Sequence, residues 1–166
     1  KLGANRGKLA SFSQAKYGAQ TGNDAQWFPD AGNGVLKSTG QNITGNDPND
    51  ANTPNNSTLQ AQWVQNIVSN WGAASAEAPR YYLLDNEHSI WHSTHRDVHP
   101  TGASMDEIKA KTLDYAAQIR ANDPAGIIVG PEEWGWSGYI LSGYDQQWGS
   151  LHGWSNLPDQ IGRAHV

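Results

Sequence analysis

The strongest chemical signal in the sequence is a carboxylate at the end of a short apolar run. Tyr81-Tyr-Leu-Leu84 is followed directly by Asp85-Asn-Glu87. A carboxyl group at the rim of an apolar core can protonate a leaving group and later accept a proton from water. Glu87 is therefore predicted to be a general acid/base. Asn-Glu alone is a short motif, and a helix cap or a loop carboxylate is the alternative.

A second acidic cluster, Glu132-Glu133-Trp134-Gly-Trp136, follows another apolar run, Ile127-Ile-Val129. Carboxylates can hold sugar hydroxyls, and Trp supplies flat apolar faces that suit sugar rings. The cluster predicts a sugar-binding cleft or a second catalytic carboxylate, with a solvated loop as the alternative. Hydrolysis of a glycosidic bond with retention or with inversion requires different distances between two catalytic carboxyl groups. The sequence does not give this distance. The chain holds eight Trp residues, and Trp27 and Trp91 are further candidates for sugar binding.

Two clusters raise the question of metals. One contains four histidines at nearly helical spacing beside Glu87: His88, His92, His95 and His99. Zinc is conceivable there, but the segment lacks the His-Glu-x-x-His pattern, and Pro100 and Gly102 favour a loop. We therefore predict hydrogen-bonding and packing roles and no metal ligand.

The other cluster, 46–52, is rich in Asn and Asp. Its oxygen atoms could hold calcium, but it matches no EF-hand pattern. Asx turns are the preferred interpretation. A structural calcium ion stays possible, and no cofactor is expected to be required.

The composition restricts the classes of partner. The 166 residues carry a formal net charge of -5, which disfavours nucleic acid and anionic membranes. There is no apolar run of about 18 residues, so no membrane-spanning helix is predicted. Cys is absent, so disulfides and thiolate metal sites are excluded.

Two amphipathic helices alternate with the two apolar runs. Ser57-x-x-Gln60 reads as a capping box and predicts a helix over 58–70 that ends at Gly72. Ser104-x-x-Glu107 predicts a second helix, closed by Pro124. The runs 81–84 and 127–129 are predicted to be strands buried on both faces. This order predicts a parallel α/β sheet with its chemistry at the carboxyl ends of the strands.

The amino-terminal third is harder to interpret. Residues 8–13 are a weak strand candidate. Residues 18–57 are almost all turn-forming, which predicts either disorder or a functional loop on a rigid scaffold. Trp27 and Phe28 favour the functional loop, because disordered segments rarely contain aromatic residues.

The segment Tyr81–Pro100 closely resembles the acid/base segment of glycoside hydrolase family 44, a family of endoglucanases and xyloglucanases. Val129–Trp136 resembles the family's next strand-end motif. Phe12–Gln20 and Pro29–Gly34 resemble its preceding loop. The resemblance covers nearly all of residues 1–159. One departure is His88, where many relatives have proline after Asn-Glu.

The resemblance implies a fold and a set of roles. The family's (β/α)8 barrel, accompanied by a small β-sandwich, cleaves internal β-1,4-glucan bonds with retention. This chain would be an incomplete TIM barrel, roughly strands three to five, in which Glu87 ends the fourth strand. Asn86 would bind the sugar 2-hydroxyl. The family's nucleophile lies near the seventh strand and has no counterpart here, so Glu132 and Glu133 become cleft residues beside Trp134.

The resemblance further implies that residues 1–159 are a partial barrel domain. Independently of it, residues 160–166 match one reading frame of a common sequencing adapter and are predicted to be adapter read-through rather than protein. The full enzyme is expected to be secreted and monomeric, with a β-glucan polysaccharide as its substrate. The isolated chain is expected to fold poorly and to be inactive. A non-catalytic carbohydrate-binding fragment and a zinc hydrolase built on the histidines are the alternatives.

Overall fold

The computed structural model describes residues 9–84 and 87–152, with only the backbone of His152. Asp85, Asn86 and the predicted adapter segment 160–166 lie outside the described residues. The chain divides into two compact units, Lys1–Asn55 and Asn56–Val166. Within the described ranges, no helix is both long enough and apolar enough to cross a membrane.

The first unit contains short elements joined by turns. Helix α1 spans Gln14–Tyr17, and strands β1 (Asn23–Asp24) and β2 (Phe28–Gly32) form an antiparallel pair. A 3-10 turn spans Pro48–Asp50. The strand predicted over 8–13 is wrong for the described residues 9–13, which form a turn and a single bridge from Ser13 to Ala31.

Side-chain hydrogen bonds hold the first unit, where apolar residues are few. The hydroxyl of the fully buried Ser13 donates to Asp30. Lys16 Nζ lies 2.7 Å from a carboxylate oxygen of Asp50, and the Tyr17 hydroxyl donates to the same carboxylate at 2.8 Å. The hydrogen bond with Lys16 lowers the pKa of Asp50. These long-range contacts order a stretch whose composition alone suggested a loop.

The second unit is built around a parallel strand pair. Its elements are α2 (Ser57–Trp71), β3 (Tyr81–Leu83), a 3-10 turn (His88–Ile90), α3 (Trp91–Thr94), α4 (Met105–Asn122), β4 (Ile127–Val129), α5 (Trp136–Ile140) and α6 (Gly143–His152). Strands β3 and β4 are parallel, with Tyr82 opposite Ile128. The predicted order of helices, strands and parallel pairing is confirmed.

Helix ends follow local capping chemistry. The side chain of Ser104 accepts the backbone N–H of Glu107 at 3.2 Å, as the sequence predicted. Helix α2, in contrast, is capped by Asn56, whose side chain accepts the N–H of Leu59 at 2.9 Å. The predicted cap at Ser57 is therefore wrong by one residue. Asn is as good an N-cap as Ser, so the two positions compete.

The hydrophobic core lies on one face of the strand pair. Val64 from α2, Tyr82 from β3 and Ile119 from α4 are buried together. On the opposite face, Tyr81 is 59% exposed and Leu83 is 58% exposed. The prediction that these strands are buried on both faces is wrong, because among the described residues helices cover only one face of the strand pair. An apolar surface therefore remains uncovered beside the core.

Candidate functional site

Glu87 has an unusual backbone conformation. Its φ of 58° and ψ of 36° lie in the left-handed region, and no other non-glycine residue among 9–84 and 87–152 has a positive φ. This conformation costs about 1–3 kcal/mol and persists only where surrounding contacts impose it. The N–H of Glu87 donates to the carbonyl of Glu132 at 2.6 Å, and its carbonyl accepts the N–H of Ile90 at 3.0 Å.

Parallel pairing brings the two acidic clusters to the same edge of the sheet. Strand pairing continues past β3, where the N–H of Leu84 donates to the carbonyl of Val129 at 3.1 Å. The bond from Glu87 to Glu132 follows on the same edge. Residues distant in sequence therefore meet at the carboxyl ends of the strands, where α/β folds commonly carry their chemistry.

The carboxylate of Glu133 is buried and lies against two side chains. Its Oε1 lies 2.6 Å from Nε2 of His88, and the Ser89 hydroxyl donates to its Oε2 at 2.6 Å. Only 3% of the Glu133 side chain is exposed. Burial opposes its ionisation, but the adjacent His88 and the hydrogen bond from Ser89 outweigh burial and lower the pKa of Glu133. We call these three residues the buried carboxylate cluster.

Helix α5 packs tightly against this cluster. A Cβ added to Gly138 would overlap the carboxylate of Glu133. Gly143, at the start of α6, lies close to the turn after Glu87: a Cβ there would be 3.1 Å from the carbonyl oxygen of Ser89. The roles of Ser89 and Gly138 were not predicted. A serine following His88 and a glycine following two Trp residues carry no distinctive pattern in sequence.

The predicted sugar-binding residues fall into different environments. Glu132 is exposed at the strand-end edge, as is Trp134. Trp136 is 84% exposed, and its ring lies 5.9 Å from that of Tyr139. Aromatic rings exposed to this degree can serve as stacking platforms. Trp27 is exposed in the first unit, in the turn before β2.

Trp91 and the histidines form a packed group. Trp91 is half-buried, with ring centroids 6.3 Å from His88 and 5.3 Å from His99. His99 Nε2 lies 2.8 Å from Glu107. Burial of the His92 side chain lowers its pKa, and the nearby His99 lowers it further. Across the described residues, no group of three or more His, Cys, Asp or Glu side chains is arranged to hold a metal ion.

Segment 46–52, considered for calcium, is organised by hydrogen bonds within it and to helix α1. The carboxylate of Asp47 accepts the N–H of Asn49 at 2.9 Å, which forms the predicted Asx turn. The carboxylate of Asp50 is engaged by Lys16 and Tyr17. Calcium binding by this segment stays a prediction.

The parallel strand pair and the helices packed against it form an α/β arrangement with an acidic edge at the strand ends. The model of glycoside hydrolase family 44 matches residues 3–160, and the chain belongs to this family. The crystal structure of CelM2, a bifunctional glucanase-xylanase from a metagenome library, is 69% identical, with a TM-score of 0.85. The match covers 98% of this chain and 31% of CelM2.

Two curated relatives agree with the family assignment. Endoglucanase A of Paenibacillus lautus is 33% identical over 109 residues, which are 62% of this chain and 16% of the relative. Beta-mannanase/endoglucanase A of Caldicellulosiruptor saccharolyticus is 28% identical over 93 residues, 55% of this chain and 7% of the relative. The chain thus spans less than a third of each of these proteins and of CelM2.

Proposed function

We propose that the chain is part of a retaining endo-β-1,4-glucanase that hydrolyses cellulose-type β-glucans, xyloglucan or both, with Glu87 as general acid/base. One observation carries the proposal. Glu87 follows a parallel strand, in a left-handed conformation fixed by its hydrogen bond to Glu132. A strained acidic residue at the edge of a sheet that carries exposed Trp side chains is characteristic of a functional site.

The proposed mechanism has two steps. Glu87 protonates the glycosidic oxygen while a carboxylate nucleophile attacks the anomeric carbon, forming a glycosyl-enzyme. Glu87 then deprotonates a water molecule, which hydrolyses that intermediate. In this proposal the nucleophile comes from another segment of the longer protein. It would lie about 5–5.5 Å from Glu87, the separation typical of retaining enzymes.

The remaining site residues would bind the glucan. Asn86 is proposed to contact the sugar 2-hydroxyl, an interaction that strengthens in the transition state. Glu132 would accept hydrogen bonds from sugar hydroxyls, since its side chain is exposed at the edge. The exposed rings of Trp134 and Trp136 would stack on sugars. Trp91 would support the site from its half-buried position. Trp27, in the first unit, is proposed separately as a sugar-stacking residue.

We also propose that the second unit is a section of a TIM barrel. Helices α2 and α4 lie on one side of the parallel pair, and an apolar face with Tyr81, Leu83 and Ile127 remains exposed on the other. In a closed barrel such a face lines the interior and is filled by side chains from other strands. The isolated chain should therefore fold poorly. A cooperative thermal transition of the isolated chain would contradict this proposal.

The proposal extends to the setting of the full enzyme. It would be secreted and monomeric, would act on extracellular polysaccharide and would need no cofactor for catalysis. Calcium in segment 46–52 would have a structural role only.

Replacing Glu87 with Gln in the full-length enzyme tests the proposed function. Loss of the acid should lower xyloglucan hydrolysis by about 10²–10⁴-fold and leave binding of the polysaccharide nearly unchanged. Glu77→Gln is the matched control, because Glu77 is an exposed glutamate before β3, at the opposite end of the strand. The anomeric configuration of the first product, followed by NMR, should show retention.

The alternatives give other results. The exposed Trp134 and Trp136 would also suit a non-catalytic binding fragment. In that case the full-length wild-type protein binds glucan without turnover. Wild-type activity that persists in Glu87→Gln but disappears on chelation would instead indicate a metal-dependent hydrolase.

A further inference from the structure

We propose that Glu133, through the buried carboxylate cluster, is a positioning residue that fixes the orientation of Glu87. This inference rests on the proposed role of Glu87 as the acid/base. It gives Glu133 a different role from the sugar-binding one that its sequence motif suggested.

The burial of Glu133 leaves its carboxylate little access to a sugar. One carboxylate oxygen lies 2.6 Å from His88 Nε2, and the other accepts the Ser89 hydroxyl at 2.6 Å. The same second oxygen lies 3.2 Å from the N–H of Trp134, which donates to it. With 3% of its side chain exposed, Glu133 faces the protein interior. A sugar hydroxyl could reach it only by displacing these contacts.

The position of the cluster connects it to Glu87. Glu87 and His88 are adjacent, and so are Glu132 and Glu133. The backbone bond from Glu87 to Glu132 and the side-chain contact from His88 to Glu133 therefore join the same two segments at successive residues. Because two links act together, the segment after β3 cannot rotate about either contact alone.

The left-handed backbone of Glu87 makes this restraint necessary. A non-glycine residue in this region relaxes to a right-handed or extended conformation unless its neighbours prevent it. Such a relaxation would redirect the Cα–Cβ bond, and the carboxyl group with it. A general acid must reach the glycosidic oxygen within hydrogen-bonding distance. Contacts that hold His88 and Ser89 in place consequently keep the Glu87 carboxyl group oriented toward the glycosidic oxygen.

Packing around the cluster allows no easy alternative arrangement. The Glu133 carboxylate occupies space that a side chain at position 138 would need. The carbonyl oxygens of His88 and Ser89 lie 3.2 and 3.1 Å from where a Cβ of Gly143 would be. The turn after Glu87 is thus held between helix α6 and Glu133. Glu133 supplies the polar contacts of this arrangement.

The dependence of the rate on the leaving group tests the proposal in the full-length enzyme. Good leaving groups, such as 2,4-dinitrophenolate, need no protonation, whereas poor ones depend on a correctly placed acid. We would measure kcat/KM, which reports cleavage of the glycosidic bond, for aryl β-cellobiosides of graded leaving-group acidity. Glu133→Gln should lower kcat/KM about tenfold or more for the poorest leaving group and less than about twofold for dinitrophenolate.

Two further variants test whether the effect of Glu133→Gln comes from lost positioning of Glu87, and not from the lost charge of Glu133 or from misfolding. Gly138→Ala keeps Glu133 but displaces its carboxylate, and it should give the same leaving-group dependence. Ser89→Ala removes one hydrogen bond and should give a smaller effect of the same kind, which preserves the test if Glu133→Gln does not fold. Asp123→Asn is the matched control. It alters another buried carboxylate and should change kcat/KM equally for all leaving groups.

The outcomes are distinct. A uniform loss across all leaving groups in Glu133→Gln and Gly138→Ala would overturn the positioning role, since a sugar-binding or merely structural residue acts in that way. Glu87→Gln provides the reference for steep leaving-group dependence. If Glu87→Gln lacks this dependence, the proposed function itself fails. If Glu87→Gln shows it and the cluster variants do not, only the present inference fails.

Discussion

The imidazole Nε2 of His88 lies 2.6 Å from Oε1 of Glu133, and the two side chains are only 6% and 3% exposed. This contact joins the residue that follows Glu87 to the residue that follows Glu132. It occurs where the ends of two parallel strands meet. A pair buried to this degree is costly to break, because the remaining partner loses its compensation.

The pair should contribute to stability in a pH-dependent way. Burial disfavours the charge on Glu133, but the adjacent His88 and the hydrogen bond from Ser89 outweigh it, so its folded-state pKa is below the ordinary value of 4.5. The stabilisation is present above pH 4.5 and is lost as the pH falls through the lower, folded-state pKa. The Tm of the full-length wild type should therefore fall more steeply below about pH 4.5 than that of Glu133→Gln. Parallel Tm curves for the two proteins would contradict this prediction.

Asp123 should be important for the stability of the second unit. Its fully buried carboxylate accepts hydrogen bonds from the N–H of Ala74 at 2.8 Å, from Arg80 at 2.9 Å and from the Tyr82 hydroxyl at 2.8 Å. Asp123→Ala should lower the free energy of unfolding by about 3 kcal/mol, because these groups lose their partner. Thermal denaturation of the full-length enzyme measures this. Asp114→Ala, on the exposed face of α4, should leave the Tm within about a degree.

Gly102 should tolerate no side chain. A Cβ at this position would overlap the backbone of Gly143, which cannot move aside as a flexible side chain can. Gly102→Ala should destabilise the full-length protein by about 1–3 kcal/mol. Gly130→Ala is the matched control, since a Cβ there meets nothing within 4 Å. Equal Tm values for the two variants would show that the segments around Gly102 and Gly143 are not closely packed in solution.

Trp136 should contribute to glucan binding. Its exposed ring lies beside Tyr139 at the start of α5, shortly after the acidic edge. Trp136→Ala should raise the dissociation constant for a xyloglucan oligosaccharide about tenfold, which corresponds to about 1.4 kcal/mol. Trp71→Ala is the control, because Trp71 is also exposed and ends α2, before β3 begins. Isothermal titration calorimetry with full-length variants compares them, and equal affinities would contradict a binding role for Trp136.

Local patterns predicted those features that depend on neighbouring residues. The apolar spacing that produced α2 and α4 and the cap at Ser104 are confirmed, because helices and their caps are determined within a few residues. The antiparallel pair β1–β2 was not predicted. Its short strands lack an alternating apolar pattern, and contacts such as Ser13 with Asp30 link positions far apart in sequence.

The sequence by itself determined the family, the order of helices and strands, and the placement of two acidic clusters after apolar runs. Only the tertiary structure decided how the adjacent residues Glu132 and Glu133 differ. One offers its carbonyl to Glu87 and exposes its side chain, while the other buries its carboxylate against His88 and Ser89. The physical reason is that burial and hydrogen-bond partners come from segments more than forty residues away, which a local motif does not encode.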